Sequence, residues 1–389
     1  MARKKQLDFA EAVEIKAKAD IRAENTEKLG KKMTKFADKK ELSYRYTEFA
    51  QDLITPNMLE RGKSCGSFVE IGHDIEFSQS GVVNANLCGN RFCPICSWIK
   101  SRRDTLQLAT ELQYLHTEQK LEFLFLTLTI RNVKAEELES AIQKLNYAYK
   151  KLRQLKEVEQ ISYGEIKKLE VTYNSNKKSK SYKTYHPHLH VVIGVSRSYF
   201  SSNHYLNKQK WLDMWRKCYK DDSITQVKVK RVKTSKDIKH VLEIAKYSAK
   251  EEDYLYSKEV FRVFYKALKG KQIMSKSGCF LEARKLWEAG ELDGYLEEYK
   301  NKVEYVYIST YSWYFKNEFM DFSYNLNNVR KITVKEYKTY NKHTIDTEFK
   351  DSKYVEKDIR NRLENVKQIE TKDLAKVPKL FAKSPKKIK

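Results

Sequence analysis

Leu169-Glu-Val-Thr-Tyr-Asn174, the turn-rich Asn174-Ser-Asn-Lys-Lys-Ser-Lys-Ser181 and Tyr185-His-Pro-His-Leu-His-Val191 follow one another in the sequence. The pattern predicts strands over residues 166–174 and 185–195, joined as a hairpin by the polar loop. In a strand, side chains at i and i+2 share a face. His186, His188 and His190 therefore line one face, while Leu189, Val191 and Ile193 point into a core. Glu170 shares its face with Thr172 and Asn174, and hairpin pairing brings it beside the histidines. An exposed His-rich face would show the same spacing, and Glu170 could equally be an ordinary exposed strand residue.

The neighbouring segments extend this hairpin into a domain. Residues 122–131 (Glu-Phe-Leu-Phe-Leu-Thr-Leu-Thr-Ile-Arg) read as a strand. Residues 136–159 read as an amphipathic helix with Leu138, Ile142, Leu145, Tyr149 and Leu152 on one side. A Trp- and Lys-rich helix is expected over 203–220, and a half-exposed strand over 224–232, where Val227, Lys228, Val229 and Lys230 alternate. A helix over 235–249, capped by Thr234 or Ser235, completes the order β-α-β-β-α-β-α from 122 to 250. That order predicts an α+β fold, a central antiparallel sheet with flanking helices. To this are added a Cys-rich, zinc-knuckle-like segment and a helical C-terminal region. The expected division is a charged N-terminal extension (1–45), a Cys-rich segment and helix (46–120), a catalytic domain (121–280), a C-terminal region (281–375) and a basic tail (376–389).

Composition narrows the partners. The 389 residues carry 76 Lys and Arg against 52 Asp and Glu, a net charge of +24, with 41% hydrophobic and 12% aromatic residues. That much Tyr and Phe excludes a disordered basic tail and predicts a folded chain with a basic surface. Such a surface attracts polyanions, nucleic acid first among them. No apolar run approaches the roughly 18 residues of a membrane span, and no apolar segment follows the basic N-terminus as in a signal peptide. A cytoplasmic protein without a membrane partner is expected. Its six cysteines are then thiols or metal ligands.

Three clusters can carry chemistry. His188, His190 and Glu170, two imidazoles and a carboxylate, make a divalent-metal site with open positions that suits Mg²⁺ or Mn²⁺ and a substrate oxygen. Glu243 and Tyr247 are i and i+4 on the 235–249 helix, with Lys246 and Lys250 flanking them as DNA contacts. A Tyr is a poor nucleophile at its ordinary pKa of about 10. Nearby cations and a metal would change that, and Glu243 could then act as a general base. Cys88-Gly-Asn-Arg-Phe-Cys93-Pro-Ile-Cys96 has the spacing of a structural Zn²⁺ knuckle, with Cys65 or His73 as fourth ligand.

Taken in order, these motifs resemble the replication initiators of rolling-circle plasmids, the single-tyrosine Rep_1 family within the HUH endonucleases. The resemblance rests on Cys88 to Cys96, Phe125 to Asn132, Leu169 to Asn174, Tyr185 to Val191, Glu243 to Lys250 and Phe264 to Lys271. It spans about residues 60 to 280. It implies a metal-dependent nickase acting at the plasmid's double-strand origin, on hairpin or single-stranded DNA. His188, His190 and Glu170 would hold Mg²⁺ or Mn²⁺, Tyr247 would become linked to the 5′-phosphate, and Glu243 would activate water at termination. A host helicase and DNA polymerase are implied partners, and a homodimer is allowed. Tyr254 is a candidate second nucleophile. An HUH transposase would use the same residues. A non-catalytic zinc-dependent DNA-binding regulator would not need the histidines, and a 2-His-1-carboxylate iron oxygenase would not need the charge.

Overall fold

Nine strands are found among the described residues of the computed structural model, which are 33–232, 241–245, 249–296, 303–315, 322–341 and 353–366. They are β1 (Phe68–His73), β2 (Ser80–Ala85), β3 (Leu121–Thr129), β4 (Gly164–Tyr173), β5 (Tyr185–Ser196), β6 (Val227–Arg231), β7 (Met274–Gly278), β8 (Tyr307–Phe315) and β9 (Phe322–Lys331). They form a five-stranded sheet of order β6-β3-β5-β4-β7 and a four-stranded sheet of order β2-β1-β8-β9, antiparallel throughout. The chain divides into two compact units. One holds Arg45–Leu59 and Asn90–Tyr299, the other Met1–Tyr44, Glu60–Gly89 and Lys300–Lys389.

In the first unit the order of strands follows their hydrophobicity. β3 and β5, the most apolar strands, lie inside the sheet together with β4, whereas β6 and β7 form its edges. Lys228 and Lys230 of β6 are exposed, and β7 is the short, polar Met-Ser-Lys-Ser-Gly, so neither edge invites another strand. On one face, Phe123, Phe125, Ile166 and Val192 pack against Leu108, Leu112 and Leu115 of the helix Pro94–Thr117 and against Phe280 and Ala283 of the helix Cys279–Ala289. Val241, Ile244 and Ala245 join this core. The opposite face carries Leu124, Leu126, Leu128, Leu189, Val191 and Ile193, all buried. The helix Leu138–Arg153 packs against β5 and against the helix Lys208–Tyr219, which buries Trp211 and Trp215. Asn207 caps that second helix, its side chain accepting from the Lys210 N–H at 2.9 Å.

The hairpin reads in the structure as in the sequence, with Glu170 opposite His188 and Lys168 opposite His190. The 136–159 expectation resolves into the helix Leu138–Arg153 and a separate turn of helix at Lys156–Glu159. The helix expected within residues 46–120 is Pro94–Thr117, and the fixed φ of Pro94 suits a first helical position. Of the expected 235–249 helix, residues 235–240 and 246–248 lie outside the described residues. Gly278 ends β7 at φ +52°, and a Cβ there would stand 2.3 Å from the Tyr163 carbonyl oxygen. Only glycine fits that approach.

In the other unit, β8 pairs with β1 from residues more than 230 positions away in the chain. His73 is buried, its Nε2 lies 2.8 Å from the Ser309 hydroxyl, and its ring packs on Phe77, which stacks on Tyr307. The C-terminal region supplies helices at Val334–Tyr340 and Lys353–Glu364, and also the two strands β8 and β9. Thr333 and Glu336 close a capping box on the first of those helices. Residues 1–32 and 367–389, which include the basic tail, lie outside the described residues. No described helix is long and apolar enough to cross a membrane.

Candidate metal centre

The sheet register assembles the centre. Thr127 stands opposite His190, and Thr129 opposite His188, across the β3–β5 pair. Directly opposed residues of antiparallel strands share a face. Glu170, His188 and His190 thus converge from β4 and β5, and their ligand atoms all lie within 4.8 Å of one another. His190 Nε2 is 2.9 Å and His188 Nε2 3.4 Å from Glu170 Oε2.

Each imidazole is oriented from behind. His188 Nδ1–H donates to the His186 carbonyl at 3.2 Å, and His190 Nδ1 lies 3.3 Å from the Thr127 hydroxyl. The Phe125 ring stacks on His190 at 5.7 Å between centroids. With Nδ1 taken up in this way, Nε2 of both rings is turned toward the Glu170 carboxylate, and a metal between them would take Nε2 as its ligand atom. Two imidazole nitrogens and one carboxylate, packed this closely on a rigid sheet, are compatible with a divalent cation. Burial pushes the Glu170 carboxyl up, but the hydrogen bonds and charge of the two imidazoles outweigh it and hold it well below the usual carboxylate range.

Other predicted residues fall in various places. His186 does not join the group, since its Nε2 lies 3.0 Å from the Ile130 carbonyl oxygen. Thr127 borders the centre, whereas the Thr129 hydroxyl donates to the Gln226 carbonyl at 3.2 Å. Glu243 opens the turn Glu243–Ala245, whose Ile244 and Ala245 are buried in the core on the same sheet face as the triad. The Glu243 side chain, Lys246 and Tyr247 lie outside the described residues. Lys250 is exposed, just ahead of the helical turn Glu251–Tyr254. Tyr254 is buried and its hydroxyl donates to the Phe92 carbonyl at 3.2 Å, which removes it as a second nucleophile.

Two ionisable groups beside the centre were not singled out in the sequence. Lys168 is buried next to Glu170 on the same face of β4, and desolvation brings its ammonium down to about 8 against the charges of Asp104 and Glu170. Its offset of two residues from Glu170 was the available signal. Burial pushes the Asp253 carboxyl up to about 6, although a Tyr173 backbone N–H bonds to it. Nothing local in Glu251-Glu-Asp-Tyr254 foretold that.

Of the four cysteines expected to hold zinc, Cys65 and Cys88 belong to one unit and Cys93 and Cys96 to the other, and as a set they are compatible with a zinc-knuckle-like segment. The Cys88 N–H donates to Cys65 Sγ at 3.4 Å. Cys93 and Cys96 sit at the start of the Pro94–Thr117 helix. The other fourth-ligand candidate, His73, is engaged with Ser309 and Phe77 instead.

Comparison with known proteins places this geometry in a family. The Rep_1 family model, described as "Replication protein", matches residues 79–322, well over half of the chain. The chain is 38% identical over 227 residues to "Protein rep" of Staphylococcus aureus, covering 58% of this chain and 96% of that protein. It is 30% identical over 258 residues to "Protein rep" of Bacillus amyloliquefaciens (60% of this chain, 74% of that protein). It is 32% identical over 252 residues to "Protein rep" of Streptococcus pneumoniae serotype 2 (63% and 74%). No solved structure matches. The matched span contains both strands of the triad-bearing hairpin and three of the four cysteines, and the chain belongs to the Rep_1 family of replication proteins.

Proposed function

We propose that this protein initiates rolling-circle replication of a plasmid by nicking its double-strand origin through a covalent tyrosine intermediate. The observation that carries the reading is the Glu170–His188–His190 triad, set on the sheet face where the Glu243–Ala245 turn docks. Tyr247 follows that turn by two residues. Mg²⁺ or Mn²⁺ held by the triad would polarise a phosphodiester and stabilise the charge that develops on it.

The protein's own residues supply the remainder. The Tyr247 oxygen attacks phosphorus, the bond from phosphorus to the 3′-oxygen breaks, and that oxygen takes up a proton. The products are a 5′-phosphotyrosyl bond and a free 3′-OH that primes a host DNA polymerase behind a host helicase. The ester keeps the energy of the broken bond, so rejoining needs no ATP. Lys246 and Lys250 lower the cost of a phenolate and hold phosphate oxygens. At termination Glu243 takes a proton from water, which displaces Tyr247 from phosphorus. The Cys65–Cys88–Cys93–Cys96 group holds a structural Zn²⁺.

The test is incubation with a supercoiled plasmid carrying the protein's own gene, with Mg²⁺ or Mn²⁺. Relaxed circles and an SDS-resistant protein–DNA adduct are expected, with the nucleotide on the peptide containing Tyr247. An adduct mapped to another peptide would overturn the nucleophile, and the absence of nicking would overturn the reading. Glu243→Ala is expected to nick at the wild-type rate but to accumulate unreleased multimers; normal release of monomer circles would remove Glu243 from that role.

For the cysteines, elemental analysis is expected to find about one zinc per chain. Cys88→Ser should lose it and lower Tm by about 10 °C, on the basis of ~2–4 °C per kcal/mol for a unit of this size. Full zinc content in that variant would show that the cluster is not the site.

A further inference from the structure

We propose that the loop joining β4 and β5 is a phosphate-backbone grip that holds DNA beside the cleavage position, an inference that rests on the nicking function above. Lys177, Lys178, Lys180 and Lys183 are all exposed on this loop, and none forms an ion pair among the described residues. No Asp or Glu occurs between Glu170 and Asp213, so the hairpin's far end and all of β5 carry no acid of their own. Asp253, which reaches this end from the Glu251–Tyr254 turn, is engaged by the Tyr173 backbone.

The loop is braced rather than slack. The Asn174 N–H donates to the Thr184 carbonyl and the Lys183 N–H to the Asn174 carbonyl, both at 2.9 Å. The Asn174 side chain donates to Ser179 Oγ at 2.9 Å and accepts from the Asn176 N–H at 3.0 Å. Asn132, just beyond β3, donates to Thr184 Oγ1 at 2.9 Å and ties the loop to the end of β3. The backbone that carries the four lysines is thereby held in place relative to the triad. Lys183 also lies over the Tyr182 ring, 5.4 Å from its centroid, which leaves an amphipathic surface suited to a nucleotide.

Position decides the partner. Glu170 and Asn174 are four residues apart on one strand. At about 3.3 Å per residue the loop begins ~13 Å from the triad. Phosphates along one strand of B-DNA advance ~3.4 Å each, so a strand crossing the triad meets the lysines about four nucleotides from the cut. Contacts at that distance carry no base information. They fix register and orientation, which a nuclease needs if one phosphodiester is to lie over the metal.

The experiment compares the full chain with K177A/K178A/K180A/K183A and with the four-arginine counterpart. Binding to a random-sequence 30-nucleotide single strand and a 30-base-pair duplex is measured against salt, and nicking is measured on the supercoiled plasmid at low salt and saturating protein. If all four lysines release counterions, the slope of log K against log salt falls by ~3 on single strand or ~3.6 on duplex. The probe whose slope falls by its full expected amount identifies the form of DNA held. The arginine variant should keep the wild-type slope, and each single Lys→Ala should lose about a quarter of the effect. Nicking by the alanine variant should fall several-fold even under saturation, because register is lost along with affinity.

An unchanged slope on both probes would overturn the grip, even with nicking intact. A slope lost equally in the arginine variant would also overturn it, because that would report a damaged loop and not lost charge. Failure of the wild type to nick would instead count against the function itself, and the slopes would still report on the loop. An acidic protein bound at the loop in place of DNA would likewise show as an unchanged DNA slope.

Discussion

Glu170→Ala is expected to lower metal-dependent nicking by about 10³-fold while leaving the protein folded. Glu170 supplies the triad's only carboxylate, lying 2.9 and 3.4 Å from the two imidazoles. Removing it leaves two neutral nitrogens, and two neutral ligands hold a hard divalent cation poorly. Each tenfold of rate corresponds to about 1.4 kcal/mol of barrier, so 10³-fold asks for ~4 kcal/mol of lost charge stabilisation at the phosphate. Glu170→Gln keeps the shape and should fail to the same extent, which assigns the loss to charge. Tyr247→Phe should also abolish the covalent adduct, but for a different reason. It should bind Mn²⁺ as the wild type does, whereas Glu170→Ala should not, and titration of Mn²⁺ by its paramagnetic resonance signal separates the two. Wild-type nicking by Glu170→Ala would sink the metal centre as the seat of the chemistry.

That centre was legible because a period of two is the least ambiguous signal a strand gives. His188 and His190 had to share a face, and the short polar loop between two apolar runs left one plausible pairing. The register then put Glu170 opposite His188 with no help from elsewhere. What stayed hidden was decided at long range. β1 becomes a strand against β8, in a pairing of Phe68 with Ser312 that no local window can contain. β9, Phe-Ser-Tyr-Asn-Leu-Asn-Asn-Val-Arg-Lys, has too many polar residues to announce itself. β7 has no apolar pattern either, and its place follows from pairing with β4 and from a single buried lysine. The choice between Cys65 and His73 as the fourth ligand was of the same kind, since it turned on a contact between His73 and Ser309, 236 residues apart.

That buried lysine yields the second large effect. Lys276 Nζ lies 2.5 Å from the carboxylate of Glu111, with side-chain exposures of 7% and 0%. Gln107 adds a 2.9 Å hydrogen bond to the same carboxylate. Glu111 belongs to the helix Pro94–Thr117, whose Asp104, Gln107 and Glu111 recur at helical spacing, and Asp104 and Glu111 interact with the sheet's own charges at Lys168 and Lys276. Lys276→Met should therefore cost about 3–5 kcal/mol at pH 7, because it strands a carboxylate in the core. Burial already pushes the Glu111 carboxyl up, with Lys276 opposing it. Without the lysine the folded-state pKa rises further above the unfolded value. Such a group destabilises the fold above its folded pKa and ceases to do so as pH falls below it, so the deficit should shrink between pH 7 and pH 5. The double variant Glu111→Leu/Lys276→Met should return to within about 1 kcal/mol of wild type, since an apolar pair of similar volume needs no desolvation. Urea unfolding at both pH values measures all three. A single variant that loses less than about 1 kcal/mol, or a deficit that grows toward pH 5, would show that water reaches the pair and that the helix is held on the sheet by its leucines alone.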